Sequence, residues 1–363
     1  MEKEQTISPG QLSILFFVFM TGSSIINVPG PLVSRAGNGA WLSLLIGGTI
    51  GAGVLACMLY IYRKYPELNY VAYSRKLVGP FLTYVFGIMA VFFLHYMQSA
   101  IVLDAGLFMV TSMLRETPLY VFNLLLFMVA ALTARAGIET MVRMFTLIIA
   151  LVVFCTIVVL LLAIPLYHPD YLLPMLPKGI KPVLHGVYTA SGFPYMEAIV
   201  FAMLLPYVRA DQRKKTGRYM FLSLGLNIIL LCISILCAIM TLGPLTGDTM
   251  YSLFALARLI EFQEIIQRIE SVIGMSLIAD SYMKAAIALY ILNAFLCELF
   301  SIKDRTILIL PLALIGFLNS LLIFNGTTEW STFVSVIHPV WNFFSFTLPL
   351  LILTLMAAIR KQN

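Results

Sequence analysis

The chain has 363 residues, of which 61% are hydrophobic and only 11% are charged. About a quarter of the residues in an ordinary soluble domain are charged, so this composition excludes a soluble enzyme or binding domain. The net charge of +6 comes from Lys and Arg between the apolar runs and does not indicate a nucleic-acid-binding surface. The composition therefore predicts a polytopic membrane protein.

Ten apolar runs are long enough to cross a bilayer. They cover approximately residues 11–34, 40–62, 78–112, 117–134, 138–166, 184–208, 215–242, 269–301, 304–324 and 333–358. Residues 1–10 lack the basic leader and cleavage site of a signal peptide, so we expect the first span to remain as an anchor. The runs predict an all-α integral membrane protein of ten transmembrane helices, forming a single transmembrane domain over residues 1–363.

The distribution of basic residues predicts the orientation. Sixteen of the 23 Lys and Arg residues fall in segments on the same side as the N-terminus, six fall on the other side, and Lys284 lies inside a span. Because cytoplasmic loops carry the excess of Lys and Arg, we expect both termini to be cytoplasmic.

Two segments on the predicted outer side are longer than simple turns. Tyr167–Pro182 contains four prolines and predicts a rigid, irregular lid. Leu253–Glu270 alternates apolar and charged residues at helical spacing, which is typical of an amphipathic helix lying on a surface. Such a helix could also bind a partner protein.

The first span contains the stretch T-G-S-S-I-I-N-V-P-G-P, from Thr21 to Pro31. Its glycines and prolines weaken or remove helical hydrogen bonds. Within a membrane, such a break is tolerated only where it lines a protein cavity, and broken helices mark the binding sites of secondary transporters. Asn27 and Pro29 would begin an outer half-helix whose first amide groups could hold an anion.

The sixth span contains a second break, in which Ser191, Gly192 and Pro194 repeat the chemistry of the first. Ser191 is a plausible N-cap of a half-helix, and Glu197 would lie in its first turn, where the helix dipole favours a negative charge. A single break could be a simple proline kink. Breaks in spans one and six instead predict a 5+5 inverted repeat, approximately residues 11–166 and 184–358, with a midplane binding site.

Several polar residues share the depth of the two breaks. Taking each span from its centre, Gly22 to Ser24, His95, Tyr96, Glu197 and Lys284 lie at about one level. Ionisable residues inside a membrane are costly and are therefore functional candidates. The alternatives for His95 and Tyr96 are side chains whose polar atoms are satisfied within the core.

Asp280 lies one helical turn before Lys284, so the two can form an i, i+4 ion pair. This pair is either purely structural or faces the cavity, with the ammonium replacing a coupling cation. In span three, Asp104 lies on the same helical face as Tyr96 and Ala100. The candidates for intramembrane charge or coupling roles are thus Glu197, Asp280, Lys284, His95 and Asp104.

No nucleotide-binding loop, metal-ligand cluster or nucleophile elbow occurs in the sequence. The five cysteines lie in apolar runs without metal-ligand spacing and are expected to be small buried side chains. We therefore expect no enzymatic activity, no metal site and no cofactor.

The ten spans and two breaks resemble the amino acid–polyamine–organocation transporter superfamily. Within it, the chain resembles the spore germination permease family, the B subunits of germinant receptors. The motifs that carry this resemblance are I-S-P-G-Q-L at residues 7–12, N-V-P-G-P at the first break, L-L-P-M-L-P-K-G-I-K-P at residues 172–182 and M-L-L-P-Y after the second break. The resemblance extends over the whole chain.

The resemblance implies a multi-pass protein of the spore inner membrane that assembles with an A subunit and a lipoprotein C subunit. It would bind a small germinant, often an amino acid, and trigger germination. By analogy with the superfamily, the ligand contacts would be Gly22, Ser23, Ser24, Tyr96, Ser99, Ala100, Ser191, Gly192, Phe193, Tyr282 and Ala285, to which Asn27 is added from the half-helix argument. The chain has T-G-S-S where the transporters commonly have G-x-G, which puts their backbone cradle for a carboxylate in doubt here.

Two functions are compatible with these features. In the first, the protein senses a germinant bound between the breaks. In the second, it is a proton-coupled amino acid transporter that uses Lys284, Asp280 or Glu197. An ion or water pathway opened by partner subunits is a third possibility, although the few midplane charges disfavour a wide, permanently open pore.

Overall fold

The computed structural model describes residues 5–176, 179–260 and 268–360. Apart from one isolated β-bridge between Ile7 and Val208, these residues form helices, turns and irregular segments. The predicted all-α fold class is confirmed.

Fourteen α-helices are present in the described residues. They are α1 (Pro9–Thr21), α2 (Ser24–Asn27), α3 (Pro29–Ala36), α4 (Ala40–Lys64), α5 (Tyr70–Phe108), α6 (Leu119–Ala136), α7 (Ile138–Leu162), α8 (Lys181–Gly192), α9 (Thr216–Leu242), α10 (Ser252–Ala257), α11 (Glu270–Phe300), α12 (Ile309–Leu322), α13 (Thr327–Asn342) and α14 (Leu348–Ile359).

Eight helical stretches in the described part of the chain are long and apolar enough to cross a membrane. They correspond to predicted spans one to five, seven, eight and ten. The ninth predicted span corresponds to the shorter apolar helix α12. The sixth is discontinuous: it consists of α8 followed by a 3₁₀ helix from Tyr195 to Met203, here called the 3₁₀ segment.

Local sequence explains several helix boundaries. α1 begins with a capping box, in which Ser8 Oγ accepts from the Gln11 amide at 3.2 Å and Gln11 Oε1 accepts from the Ser8 amide at 2.8 Å. α5 is 39 residues long and begins earlier than predicted. It is kinked at Gly79, whose φ of 83° favours glycine, immediately before Pro80.

The first span and α11 lie at the centre of the protein. The apolar window of the first span is 78% buried and that of α11 is 72% buried, against 33% for α5, α6 and α7. α11 packs against α1, α5, α6, α7 and the 3₁₀ segment. The first span and α11 thus form an inner layer, and much of α6 and α7 faces outward.

The two long outer segments differ in how far the predictions hold. The described part of Tyr167–Pro182 is irregular, with a 3₁₀ turn at Pro169–Leu172, as predicted. The predicted surface helix is wrong where it can be examined, because Leu253, Leu256 and Ala257 of α10 are at most 1% exposed. Residues 261–267, with the charges Glu261 and Glu264, lie outside the described residues. α10 is therefore part of the core and packs on α9 and α11.

The segment before α1 is tied to two other elements. The Ile7 amide donates to the Tyr207 carbonyl at 2.9 Å, and the Arg209 amide donates to the Ile7 carbonyl at 3.1 Å. The Ile138 amide donates to Gln5 Oε1 at 2.8 Å, at the turn between α6 and α7. The first span is thereby fastened to the chain that follows the 3₁₀ segment.

Candidate functional site

The first break is present where the sequence predicts it. α1 ends at Thr21, Gly22 and Ser23 leave the helix, and the single turn α2 follows before Pro29 begins α3. Asn27 is the last residue of α2 and so does not begin α3. The residues of the break are buried, as expected for irregular backbone at membrane depth.

The start of α3 is not suited to an anion. Pro29 and Pro31 have no amide hydrogen to donate. Between them, Gly30 packs so closely against the Thr249 and Met250 carbonyl oxygens that a Cβ there would collide with them. An anion would face these carbonyl oxygens, so the anion site expected from sequence is not supported here.

The second break separates α8 from the 3₁₀ segment. α8 ends at Gly192, and Phe193 is extended with φ −136° and ψ 116°. The prediction that Ser191 is the N-cap of the following half-helix is wrong. Its Oγ instead donates to the Tyr188 carbonyl at 2.9 Å within α8. Glu197 does lie in the first turn of the 3₁₀ segment, as expected.

A buried ion pair joins the second break to α11. Lys284 Nζ lies 2.8 Å from Glu197 Oε2, and the two side chains are 0% and 1% exposed. His338 Nε2, from α13, lies 3.1 Å from Glu197 Oε1. The predicted i, i+4 pairing of Lys284 with Asp280 is therefore wrong, because the ammonium is turned towards a carboxylate 87 residues away.

The same lysine lies against the first break. A Cβ on Gly22 would be 3.3 Å from Lys284 Cβ. The ammonium lies 4.9 Å from the ring centre of Phe19 and 4.4 Å from that of Phe193, where an aromatic face attracts a cation. Lys284 thus contacts α1, the second break and the 3₁₀ segment at once.

A second polar cluster lies beyond the first break. Asn27 Nδ2 donates a hydrogen bond to Asp104 Oδ2, and Tyr251 Oη donates to Asp104 Oδ1 at 3.4 Å. All three side chains are buried. This cluster joins α2, α5 and the residue that immediately precedes α10, which are far apart in sequence.

Asp280 differs from the other two buried carboxylates. It is 0% exposed, and neither carboxylate oxygen has a hydrogen-bond partner among the described residues. Burying a polar group without a partner is costly. Asp280 therefore remains a candidate for a functional role, although it is separate from the Lys284 ion pair.

Of the span-three candidates, Tyr96, Ser99 and Ala100 are buried, whereas His95 is only partly buried. Tyr96 stacks on Trp341 with ring centres 4.8 Å apart and lies 5.8 Å from His338, which links it to the Glu197 cluster. Ser99 Oγ donates to the His95 carbonyl at 3.0 Å, and His95 Nδ1 lies 3.2 Å from Gln98 Nε2. These polar atoms are satisfied locally, whereas Tyr96 Oη has no partner among the described residues.

The remaining predicted residues fall into two groups. Tyr282 faces away from the breaks: its hydroxyl lies 2.6 Å from Thr133 Oγ1 and its ring packs on Phe145. Gly192 packs against Pro339 of α13 so closely that a Cβ would collide with it. The small residues Ser23, Ser24, Ala100 and Ala285 are buried, and Ser24 Oγ has no partner in the described part of the chain.

A small cavity lies beside the two breaks. Its volume is about 20 Å³, and its lining includes Asn27 and Phe193 from the breaks with Trp330, Ser331 and Ser335 from α13. Trp330 Nε1 and Asn27 Oδ1 are buried without partners among the described residues.

Sequence reasoning missed the contribution of α13. His338 is an intramembrane ionisable residue, so the rule that selected His95 would also have selected it. Trp330 and the two serines carry no such signal, because single aromatic and hydroxyl residues are common in membrane helices.

Comparison with known proteins decides the family. The family model described as "Spore germination protein" matches residues 6–328. The chain belongs to the spore germination permease family. The chain is 27% identical over 318 residues to spore germination protein KB of Bacillus subtilis (strain 168), covering 86% of this chain and 84% of that protein. Spore germination protein YndE of the same strain is 22% identical over 186 residues, 51% of each chain.

Solved transporter structures share the fold. MhsT in complex with L-phenylalanine has a TM-score of 0.72 at 17% identity, covering 98% of this chain and 89% of its own. A Na⁺-coupled sialic acid symporter has a TM-score of 0.70 at 9% identity, covering 93% and 78%. Mhp1, a nucleobase-cation-symport-1 family transporter with bromovinylhydantoin bound, has a TM-score of 0.65 at 14% identity, covering 91% and 75%.

These structures have the LeuT fold, which is built from 5+5 inverted repeats, so the predicted fold class is confirmed. Family and fold describe a germination-related, multi-pass membrane protein of transporter type. The family and these structures are of transporter or receptor type.

Proposed function

We propose that this protein is the germinant-sensing transmembrane subunit of a spore germination receptor. The observation that carries the proposal is the meeting of the two helix breaks around the Lys284–Glu197 ion pair, next to the cavity lined by Asn27 and Trp330. A ligand at this place would contact both breaks and could therefore change how they are arranged. Because the chain belongs to a family of spore germination proteins, we infer that this change in the arrangement of the breaks triggers germination.

The ligand is a small polar molecule, most simply an amino acid. The residues around the breaks are small, and the unpartnered Trp330 Nε1 and Asn27 Oδ1 provide one donor and one acceptor at the cavity. A cavity of about 20 Å³ has room for about one water molecule. Binding of an amino acid therefore requires α13 or α3 to move outward, which couples ligand binding to a conformational change.

The family membership supports a proposal for the location and partners of the protein. We propose that the protein lies in the spore inner membrane with both termini in the cytoplasm, and that it assembles with an A subunit and a lipoprotein C subunit. The distribution of Lys and Arg supports the orientation.

The test uses two neighbouring residues of α13. Ser331 lines the cavity, whereas Thr332 is exposed and does not line it. We expect Ser331→Phe to raise the germinant concentration for half-maximal spore germination at least tenfold and Thr332→Phe to leave it unchanged. Equal dose responses in spores with normal amounts of both variants would contradict a ligand site at this cavity.

The ligand class can be found with the purified protein. Amino acids, sugars and nucleosides would be screened for a rise in thermal stability. A ligand at 100 times its dissociation constant stabilises the folded state by about 2.7 kcal/mol. We expect stabilisation by an amino acid, and this effect should be lost in Ser331→Phe.

Proton-coupled amino acid transport is the second candidate, favoured by the buried and unpartnered Asp280. In this case, purified protein in liposomes would accumulate labelled amino acid under a pH gradient, and Asp280→Asn would abolish uptake. No uptake across a broad panel of amino acids would argue against transport while leaving ligand sensing intact.

A further inference from the structure

One face of α13 reaches from the small cavity to the buried ion pair. Ser331 and Ser335 line the cavity, and His338 lies three residues after Ser335. Residues that are three, four or seven positions apart lie on the same face of an α-helix. At about 1.5 Å per residue, His338 is about 10 Å further along this face than Ser331. The same face of α13 therefore contacts both the cavity and Glu197.

α13 contains a hinge at Pro339, immediately after His338. A proline has no amide hydrogen, so the Ser335 carbonyl lacks its helical partner, and sharp bends in helices occur at such positions. Pro339 packs against Gly192 so closely that a Cβ on Gly192 would collide with it. This contact fixes Pro339 against the second break. The outer part of α13, residues 327–338, can thus tilt about a fixed point.

Of the cavity walls, α13 has more room to move than α3. At the start of α3, Gly30 lies against the Thr249 and Met250 carbonyl oxygens, which block movement of this helix towards them. On the side of α13 away from the cavity, Val336 and Ile337 are 49% and 48% exposed, so the helix has room on this side. Entry of an amino acid therefore tilts the outer part of α13.

Polar contacts with two elements hold the outer part of α13 inward. Tyr188 Oη and Thr189 Oγ1 of α8 donate to backbone carbonyls of α13. His338 Nε2 of α13 lies 3.1 Å from Glu197 Oε1 of the 3₁₀ segment, with the two side chains 4% and 1% exposed. A contact with an ionised group is roughly twice as strong as a neutral one, and burial excludes competing water. The contact between His338 and Glu197 is therefore the strongest of the three.

We propose that His338 is a positioning residue of the ligand site, which holds the α13 wall of the small cavity inward through Glu197. This inference rests on the proposed function, because it takes that cavity as the ligand site. A carboxylate only accepts hydrogen bonds, so Nε2 carries the hydrogen in this contact. A side chain reaches about 5–6 Å from the helix axis, so a tilt of about 20° displaces Nε2 by about 2 Å, beyond hydrogen-bonding distance.

The loss of this contact would change the pairing between the breaks. With α13 inward, Glu197 contacts His338 through Oε1 and Lys284 through Oε2. After the tilt, Lys284 is the ion-pair partner that Glu197 retains among the described residues, and both carboxylate oxygens can turn towards it. Lys284 also lies against Gly22 of the first break. His338 thus connects ligand entry with the arrangement of both breaks.

The test follows the fluorescence of Trp330 in the purified, ligand-free, full-length protein. Trp330 lies in the outer part of α13 and is 5% exposed. Replacing the other two tryptophans, Trp41 and Trp341, by Phe gives a parent protein in which Trp330 alone is observed. We expect His338→Leu to raise the quenching constant for acrylamide at least threefold, because α13 then tilts more often. His338→Gln should stay within twofold of the parent, because its amide can still donate to Glu197.

His185→Leu is the matched control, because His185 is an exposed histidine of α8, and it should leave the quenching constant unchanged. Equal quenching in His338→Leu and the parent would overturn the proposal. So would a rise in His338→Gln as large as that in His338→Leu, because the contact with Glu197 would then not be what holds α13. If His338→Leu does not fold, His338→Asn, whose shorter side chain cannot reach Glu197, gives the same comparison.

Spore germination separates this inference from the proposed function. His338→Leu should lower the germinant concentration for half-maximal germination about tenfold, equivalent to about 1.4 kcal/mol, because the ligand no longer has to part His338 from Glu197. An unchanged dose response in His338→Leu, with a raised one in Ser331→Phe, would overturn the role of His338 alone. Unchanged dose responses in both, with raised quenching in His338→Leu, would overturn the cavity as the ligand site and support the hold of His338 on α13.

Discussion

The buried ion pair gives the sharpest test of the site. Lys284 and Glu197 are 2.8 Å apart and almost fully buried, so removing one partner leaves the other charge without compensation. We consider three variants: Glu197→Gln, Lys284→Met and the double variant. Each conserves approximate side-chain volume, so the differences between them report on charge.

The expected magnitudes are unequal. Removing one partner of a buried pair typically costs about 3–5 kcal/mol. Glu197→Gln should fall in this range, because the ammonium then faces an uncharged amide oxygen in place of a carboxylate, beside the rings of Phe19 and Phe193. Lys284→Met should cost less, because His338 lies 3.1 Å from Glu197 and can hold the carboxylate when it is protonated. The double variant should be more stable than Glu197→Gln alone, since no charge is then left stranded.

The assay is unfolding of the purified protein in detergent, followed by the fluorescence of its three tryptophans. Glu298→Gln is the control, because Glu298 and Arg305 are 4.0 Å apart and partly exposed, and such a pair contributes about 0–1 kcal/mol. If the costs of the single variants add in the double variant to within about 0.5 kcal/mol, the two residues do not interact. That result would refute the ion pair and the site built around it.

Three further predictions concern the backbone and the second polar cluster. Gly192→Ala should destabilise the protein by about 1–3 kcal/mol because its Cβ collides with α13, whereas Gly53→Ala, whose Cβ would meet no described residue within 4 Å, should be neutral or stabilising; equal melting temperatures would contradict this. Ile7→Pro removes the amide that donates to Tyr207 and should cost about 0.5–1.5 kcal/mol, seen as faster tryptic cleavage after Arg209; an unchanged rate would contradict it. Asp104→Leu leaves the Asn27 amide unpaired, which destabilises the arrangement described here, the closed state, relative to an open one. If this destabilisation is about 1–3 kcal/mol, the ligand concentration for half-maximal germination should fall by about 5- to 150-fold. A higher concentration would contradict this prediction.

The breaks could be predicted from sequence because they depend on local chemistry. Glycine and proline change the backbone wherever they occur, so Gly22 and the Ser191–Pro194 stretch interrupt their helices regardless of packing. Glu197 could be assigned to the first turn after the second break for the same reason. The 3₁₀ form of the following segment was not predicted, because it depends on how the chain packs against α1, α4 and α11.

The pairing of charges could not be predicted in this way. Asp280 and Lys284 are an ideal i, i+4 pair by spacing, yet Lys284 turns towards Glu197. Which direction a side chain takes depends on the rotation of α11 about its axis, and that rotation is set by contacts with α1, α5 and the 3₁₀ segment. Sequence spacing contains no information about it.

The burial of α10 shows a second limit. In a soluble protein, an apolar helix face is directed to the core because water is outside. In a membrane both the protein interior and the lipid are apolar, so hydrophobicity does not distinguish them. Leu253 and Leu256 therefore fit a surface helix and a core helix equally well by sequence, and only the packing on α9 and α11 decides.

The contacts on the two sides of the breaks differ in kind, and this difference bears on how a ligand could act. On the N-terminal side, the backbone hydrogen bonds of Ile7 with Tyr207 and Arg209 fasten the first span to the chain that follows the 3₁₀ segment. On the other side, the closure is one carboxylate, Asp104, that accepts from Asn27 and Tyr251. A ligand with polar groups can form a hydrogen bond to Asn27 in place of the one that Asn27 makes with Asp104. It cannot replace the backbone hydrogen bonds of Ile7, because these lie beyond the breaks. At the Asn27 side, a ligand can therefore bind an open state more tightly than the closed state. Only this difference in binding free energy can shift the equilibrium between the two states.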